Sequence, residues 1–244
     1  MNTFICFSNH FSPILSSSLK DQVKTIKLTS KDIANGAISG EFIFSELFYV
    51  GLNALGSMYT NFEPYSVAPN QYVDFNFTIY DQIIAVFFPE ITIDNNTTIK
   101  GKIKSNKDQL RLVFSSPKLA FFGNELKDFL LRTDNQNPLY NSHVTASEFN
   151  TPYYNVSKLN LLNKTLNDTL YFKSQFNGGG LAKENFNLDF YYTIDKNKKF
   201  VVGFQESTFE FKNTIWNINP DELNTDKIVF DISNLEEEKS KYKN

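Results

Sequence analysis

The chain has 244 residues and a net charge of −3, with 25 Phe and 12 Tyr set against 10 Gly and 8 Pro. That length suits one large all-β unit or two small domains with a sizeable core. Near-balanced charge and only two arginines, Arg111 and Arg132, remove both the electrostatic footprint and the bidentate readers of a nucleic-acid-binding chain. The aromatic excess favours pleated, half-buried surfaces. A single cysteine, Cys6, excludes an intrachain disulfide and reads as a small packed hydrophobe. With only His10 and His143 beside it, no closed zinc site can form, and no EF-hand spacing occurs.

Taken in order, Phe4-Ile5-Cys6-Phe7 is too short to span a membrane and lacks the basic region of a signal peptide. Residues 1–35 read as an N-terminal segment, partly strand. Ile38, Gly40, Phe42 and Phe44 then share one strand face. The period changes over Ser45–Tyr59, where Leu47, Val50, Ala54, Leu55 and Met58 make one helical face. Ser45 is the expected N-cap, and Asn61-Phe62-Glu63-Pro64 the stop. Such a helix, about 20 Å long, would serve as a lid on one open face of a sheet. A membrane-surface role is the alternative, but the helix has Glu46 and no basic face.

Alternation resumes with Val73, Phe75, Phe77 and Ile79, opposed by Asp74, Asn76 and Thr78. After the turn Asp94-Asn95-Asn96 come Ile99, Gly101 and Ile103; after Ser105-Asn106-Lys107-Asp108 come Leu110, Leu112 and Phe114. His143 sits in an alternating stretch beside Val144 and Thr145 and reads as a surface or satisfied histidine. Leu170, Phe172, Ser174 and Phe176 share a face, and Gly178-Gly179-Gly180 is a turn. The longest alternation is Phe186, Leu188, Phe190, Tyr192 and Ile194, followed by a hairpin turn at Asp195-Lys196-Asn197-Lys198. Phe200, Val202 and Phe204, then Trp216 and Ile218, then Ile228, Phe230 and Ile232 close the series, before a charged tail at 235–244. The spacing predicts roughly a dozen strands, and the short connections predict an antiparallel meander.

No nucleophile elbow, P-loop or H-E-x-x-H motif is present. A β-scaffold glycosidase would need two converging carboxylates in a cleft with clustered Trp, and one Trp is present. The apolar faces must be covered. A closed sandwich or barrel core would do so with its own side chains. An open, curved sheet would instead leave a trough for acyl chains, its nine-residue strands spanning ~30 Å. A transmembrane barrel needs strands of about 9–11 residues, and many runs here are shorter and interrupted by Lys and Asp.

Several stretches resemble the translocation and assembly module TamB family (AsmA-like) of Bacteroidetes-type bacteria. They are Asn70-Gln71-Tyr72-Val73-Asp74-Phe75-Asn76-Phe77, Ala85-Val86-Phe87-Phe88-Pro89-Glu90 and Thr98-Ile99-Lys100-Gly101. Phe186-Asn187-Leu188-Asp189-Phe190-Tyr191-Tyr192-Thr193, Val201-Val202-Gly203-Phe204, Trp216-Asn217-Ile218-Asn219 and Lys227-Ile228-Val229-Phe230-Asp231 continue the series. The resemblance rests on their order and spacing from about Gly36 to Asn234, so 36–234 is the expected groove segment. It implies a non-catalytic taco-like β groove in the bacterial envelope, in the periplasm between inner and outer membranes, with no cofactor. Phospholipid acyl chains and an outer-membrane barrel are the implied partners. The implied roles are lipid transfer between membranes and assembly of outer-membrane proteins. On that resemblance the chain would be a fragment, several-fold shorter than a full family member and without its N-terminal anchor and C-terminal docking region.

The reading is therefore an all-β, repeating antiparallel meander forming a curved open groove, with one short amphipathic helix near 45–59. The expected groove lining comprises Val73, Phe75, Phe77, Ile79, Ile99, Ile103, Leu110, Leu112 and Phe114. Leu170, Phe172, Phe176, Phe186, Leu188, Phe190, Ile228 and Phe230 complete it. The alternative is a β-sandwich that binds a protein or glycan through its loops.

Overall fold

A computed structural model describes residues 2–5, 14–58, 62–179, 183–194 and 199–219. The strands are β1 (Asn2–Ile5), β2 (Ile14–Lys20), β3 (Val23–Thr29), β4 (Ala34–Glu41), β5 (Tyr72–Ile79), β6 (Ile91–Ile93), β7 (Thr97–Lys104) and β8 (Gln109–Phe121). They continue as β9 (Asn124–Asp134), β10 (Ser142–Asn150), β11 (Asn155–Leu166), β12 (Thr169–Gly178), β13 (Glu184–Ile194), β14 (Phe200–Phe204), β15 (Ser207–Phe211) and β16 (Thr214–Ile218). Two helices interrupt the series, α1 (Leu47–Gly56), preceded by a 3₁₀ turn at Phe44–Glu46, and α2 (Asp81–Phe87).

All sixteen strands belong to one antiparallel sheet in which sequence neighbours pair, except that β5 pairs with β7 past β6, and β13 with β15 past β14. This is the open all-β meander that the alternation predicts, and it does not curl round into a barrel. Two partners are interrupted strands. The first half of β8 pairs with β7 and its end with β6, while β13 pairs with β14 near Phe190–Ile194 and with β15 near Phe186. The turns Asp94–Asn96 and Ser105–Asp108 fall where expected. The Asp195–Lys198 turn, the strand at Ile228–Ile232, Cys6, His10 and the charged tail lie outside the described residues.

The opposite, polar face is ordered by the same register. One row crosses it as Asn35–Thr78–Thr98–Ser115–Leu130–Thr145–Asn160–Gln175–Asn187–Thr208–Asn217, each residue paired directly with the next. Cross-strand ion pairs flank this row: Asp74–Lys102 at 2.9 Å, Arg111–Asp134 at 2.8 Å and Lys173–Asp189 at 3.3 Å. All are solvated, so they set register more than they add stability.

The helical segment differs from expectation in detail. Ser45 lies within the 3₁₀ turn, and Glu46 occupies the N-cap without a side-chain capping bond. The Glu46 carboxylate is engaged elsewhere, accepting from Ala68 N at 2.8 Å and Gln71 Nε2 at 2.7 Å. Phe42 and Phe44 fall beyond the end of β4, Phe42 buried and Phe44 exposed. Val50 and Ala54 face inward as expected, whereas Leu55 is exposed and Asn53 is buried in its stead. Asn53 bonds both the N–H and the C=O of Tyr65, at 2.8 and 2.9 Å, pinning the return chain to the helix. α1 packs over one end of β7 and β8, with Gly51 against the Ile103 side chain and Asn135 Nδ2 donating to Ala54 O at 2.7 Å. α2 was not anticipated: it follows β5 at the other end, and Asp81 Oδ1 accepts from Ile93 N at 2.8 Å.

Two glycines shape the apolar face. Gly36 pairs with Phe77 and Gly101 with Phe75, and each ring lies over its partner glycine. A Cβ on Gly101 would fall 2.6 Å from Phe75 Cζ and 2.5 Å from Arg111 O. Gly101→Val is therefore expected to destabilise the sheet by about 2 kcal/mol through overpacking, read as a lower urea midpoint. An unchanged midpoint would mean that Phe75 does not depend on the gap.

Candidate functional site

Directly paired residues of antiparallel strands share a face, so the register traces the expected lining across the sheet. One row runs Gly36–Phe77–Ile99–Phe114–Leu131–Val144–Leu161–Ser174–Leu188. Its neighbour runs Ile38–Phe75–Gly101–Leu112–Thr133–Ser142–Asn163–Phe172–Phe190–Phe204. Val73 pairs with Ile103 and Ile103 with Leu110, one step to the α1 end, while Ile79 lies one step beyond Phe77. Leu170 pairs with Tyr192, and Phe176 with Phe186. The fifteen expected lining residues within the described regions thus fall on one continuous face; Ile228 and Phe230 lie outside those regions. At about 4.8 Å per strand the nine-strand row extends roughly 38 Å.

The face is not uniformly apolar. Thr133, Ser142 and Asn163 form a polar saddle at its middle, with Thr133 Oγ1 and Ser142 Oγ 3.2 Å apart. Leu131, Val144 and Leu161 bridge the two apolar halves alongside it. These three escaped the alternation because the strands around them carry left-handed residues. Asp128 (φ 49°) and Lys158 (φ 54°) interrupt the period, so Leu126 on one side and Phe129 on the other do not keep step by twos. The only advance signal is an exposed polar residue breaking an apolar alternation.

Beyond β12 the face becomes a stack of rings. Phe176 and Phe186 lie 4.5 Å apart at 11°, Phe186 and Phe209 5.8 Å at 4°, and Phe209 and Trp216 6.1 Å at 6°. Phe172 and Phe190 form a second stacked pair at 4.9 Å. Such pairs contribute about 0.5–1.5 kcal/mol each beyond area burial. Phe209 was not foreseen in the lining; its register with Phe186 brings it there.

Burial separates packed from available surface. Val73 is 2 % exposed and Leu110 6 %, at the end where α1 brings Gly51 against Ile103. The other thirteen described lining residues are half-buried. Their rings are shielded from the side by neighbours, not from above. Among the described residues only ten hydrophobic side chains are fully buried, and Phe42 is their one aromatic. A two-sheet core would bury these rings on their outer side as well.

Two polar clusters tie down the sheet at the end away from α1. Tyr154 OH donates to Glu184 Oε2 at 2.5 Å, and Glu184 Oε1 accepts from Lys212 N at 3.2 Å, linking three hairpins. Burial, and then the Glu184 hydrogen bond, push the Tyr154 hydroxyl well above the ordinary tyrosine range. On the polar face the side-chain hydrogen bond between Lys127 and Glu148, 2.7 Å, raises the lysine and lowers the glutamate. His143 Nε2 lies 2.7 Å from Asn160 Oδ1, a satisfied histidine. Among the described residues no group of three or more His, Cys, Asp or Glu is placed to hold a metal, and no helix is long and apolar enough to cross a membrane. No family model, curated protein or solved structure matches the chain.

The Tyr154 shift fixes a pH dependence. The folded state keeps the proton after the unfolded chain releases it near pH 10, so this contribution is complete below about pH 10 and falls as pH rises beyond it. The difference in urea midpoint between wild type and Tyr154→Phe should therefore hold up to about pH 10 and shrink as pH rises beyond it. A constant difference would show that Tyr154 is not held neutral by the fold.

Proposed function

We propose that the chain is a non-catalytic β-groove protein of TamB type, handling lipid acyl chains on the apolar face. The observation that supports this is the half-exposed, largely apolar face running through β4–β16, with no layer over it beyond the end that α1 covers. The longer strands offer a length suited to an acyl chain: β5 and β7, with eight residues each, span about 27 Å, close to the ~30 Å hydrocarbon thickness of a bilayer. Covering the open half of one Phe contributes roughly 1 kcal/mol, and each methylene of the lipid about 0.8 kcal/mol. Several rows of rings are thus enough to hold a chain without any polar clamp. By the resemblance of the sequence to that family, the setting is the bacterial envelope. The role is phospholipid transfer between membranes or help in assembling outer-membrane proteins, with an outer-membrane barrel as partner. Nascent barrel strands, apolar on one face, would meet the same surface.

The test is native mass spectrometry of the chain purified from a bacterial envelope extract. Wild type should carry phospholipid. Phe75→Asp and Phe190→Asp should each lower occupancy about tenfold, the equivalent of ~1.4 kcal/mol, while circular dichroism reports an intact sheet. A folded Asp variant with undiminished lipid, or a lipid-free wild type, would remove the groove assignment.

A further inference from the structure

The polar face carries a second feature that acyl-chain handling does not use. Over β11–β16 it forms an open hollow of about 560 Å³ whose lining includes Asn160, Gln175, Asn177, Asn185 and Asn187. Phe176, Phe186 and Phe209 occupy alternate positions of the same strands, and their rings belong to the opposite face. Four of these amides are held in two lateral runs, and Asn160 Oδ1 is engaged by His143 Nε2 at 2.7 Å. Gln175 Nε2 donates to Asn187 Oδ1 at 3.3 Å, Asn177 Nδ2 to Asn185 Oδ1, and Asn185 Nδ2 to Glu210 Oε2 at 3.1 Å. A primary amide has two donors and two acceptor sites, so each keeps hydrogen-bonding capacity after these bonds. Gln175, Asn185 and Asn187 are solvent-exposed, and the capacity left over faces outward.

The chemistry of the hollow narrows the ligand. Lys158 and Glu210 border it and offset each other in charge, so neither a polyanion nor a polycation is favoured. Exposed Ile215 adds a small apolar wall. Side-by-side amide donors and acceptors complement adjacent hydroxyls, each able to give and accept one bond. The row through Asn160, Gln175 and Asn187 continues to Thr208 and Asn217, where Thr208 Oγ1 donates to Asn217 Oδ1 at 3.2 Å. Hydrogen-bonding groups therefore recur at the strand spacing, about 4.8 Å. A linear chain of pyranose rings has a repeat of similar size, and so presents one ring to each strand.

The geometry points to a binding site for a neutral, linear glycan laid across β11–β16 on the polar face, with Gln175 and Asn187 at its centre. This site is separate from the apolar groove and does not depend on it. The probes are a β-1,4-linked glucose hexasaccharide and a β-1,4-linked N-acetylglucosamine hexasaccharide, titrated calorimetrically into the full chain, with a polyuronate as the charged control. At least one neutral hexasaccharide should bind saturably, with little change on adding salt. The doubly substituted Gln175→Ala, Asn187→Ala chain should bind it about tenfold more weakly, from the loss of two neutral hydrogen bonds. Both positions are exposed, so the variant should keep its circular dichroism and its lipid occupancy, which separates failure here from failure of the groove. No saturable binding of either neutral hexasaccharide, equal binding by the variant, or salt-sensitive binding of the polyuronate alone would each overturn the site.

Discussion

The structure depends on lateral pairing. The sheet is a run of neighbours bonded edge to edge, and the two helices pack only at strand ends. Stability must then come from backbone ladders and from side chains that shield one another across adjacent strands, not from two faces pressed together. The deepest burial fits this. Thr97 and Ser116 are fully buried, their hydroxyl oxygens 2.7 Å apart and each 2.6 Å from a main-chain carbonyl oxygen, so two hydroxyl protons are shared among three contacts. They close the junction where β8 changes partner from β7 to β6. A polar pair can sit there because all its bonds are made locally. An apolar pair would leave the carbonyls of Asp94 and Lys118 with only their main-chain donors, Thr97 N and Asp94 N.

The same constraint explains the rings on the apolar face. Without a facing layer, a phenylalanine lowers its exposure only by lying on its neighbours. It does so in two ways. Over β4–β7 rings cover glycines on the next strand, as Phe77 does Gly36 and Phe75 does Gly101. Over β12–β16 rings stack on rings in near-parallel planes. Both arrangements flatten the surface and keep it apolar, which a long flexible ligand can exploit without displacing anything. The cost is a face that relies on its occupant: whatever binds the folded sheet and not the unfolded chain adds stability in proportion to its saturation.

Much of this was legible in the sequence where one face alternates with the other by twos. β5, β7, β8, β12 and β13 were each read with the correct face, because Val73–Ile79 and Phe186–Ile194 pass through no positive-φ residue. The middle of the sheet was not, since Asp128 and Lys158 adopt left-handed conformations that shift the period, and the residue types announce it only by a polar residue breaking an apolar alternation. α2 was missed for a different reason. Its seven residues contain Ile83, Ile84, Val86 and Phe87, which favour strands by propensity, and Asp81 makes a tertiary bond to Ile93 N that sequence cannot display. The N-cap at Ser45 failed because Glu46 and the returning chain at Ala68 and Gln71 set where the helix starts. The amide row on the polar face is a product of register alone: Asn160, Gln175 and Asn187 are scattered in sequence and adjacent only once β11, β12 and β13 pair.

Half-burial also decides how substitutions should be read. In a closed core, an aspartate in place of Phe75 would be an unpaired buried charge, costing several kcal/mol, and loss of function would be indistinguishable from unfolding. On this face the carboxylate reaches water, so the principal losses are the lateral packing of one ring and the apolar continuity of the row. Phe190 has more neighbours to lose, stacking on Phe172 at 4.9 Å and lying 6.3 Å from Phe204, whereas Phe75 rests chiefly on Gly101. Of the two, Phe75→Asp should perturb folding less for the same loss of apolar surface. That makes it the cleaner separation of a face that packs the protein from a face that serves a ligand.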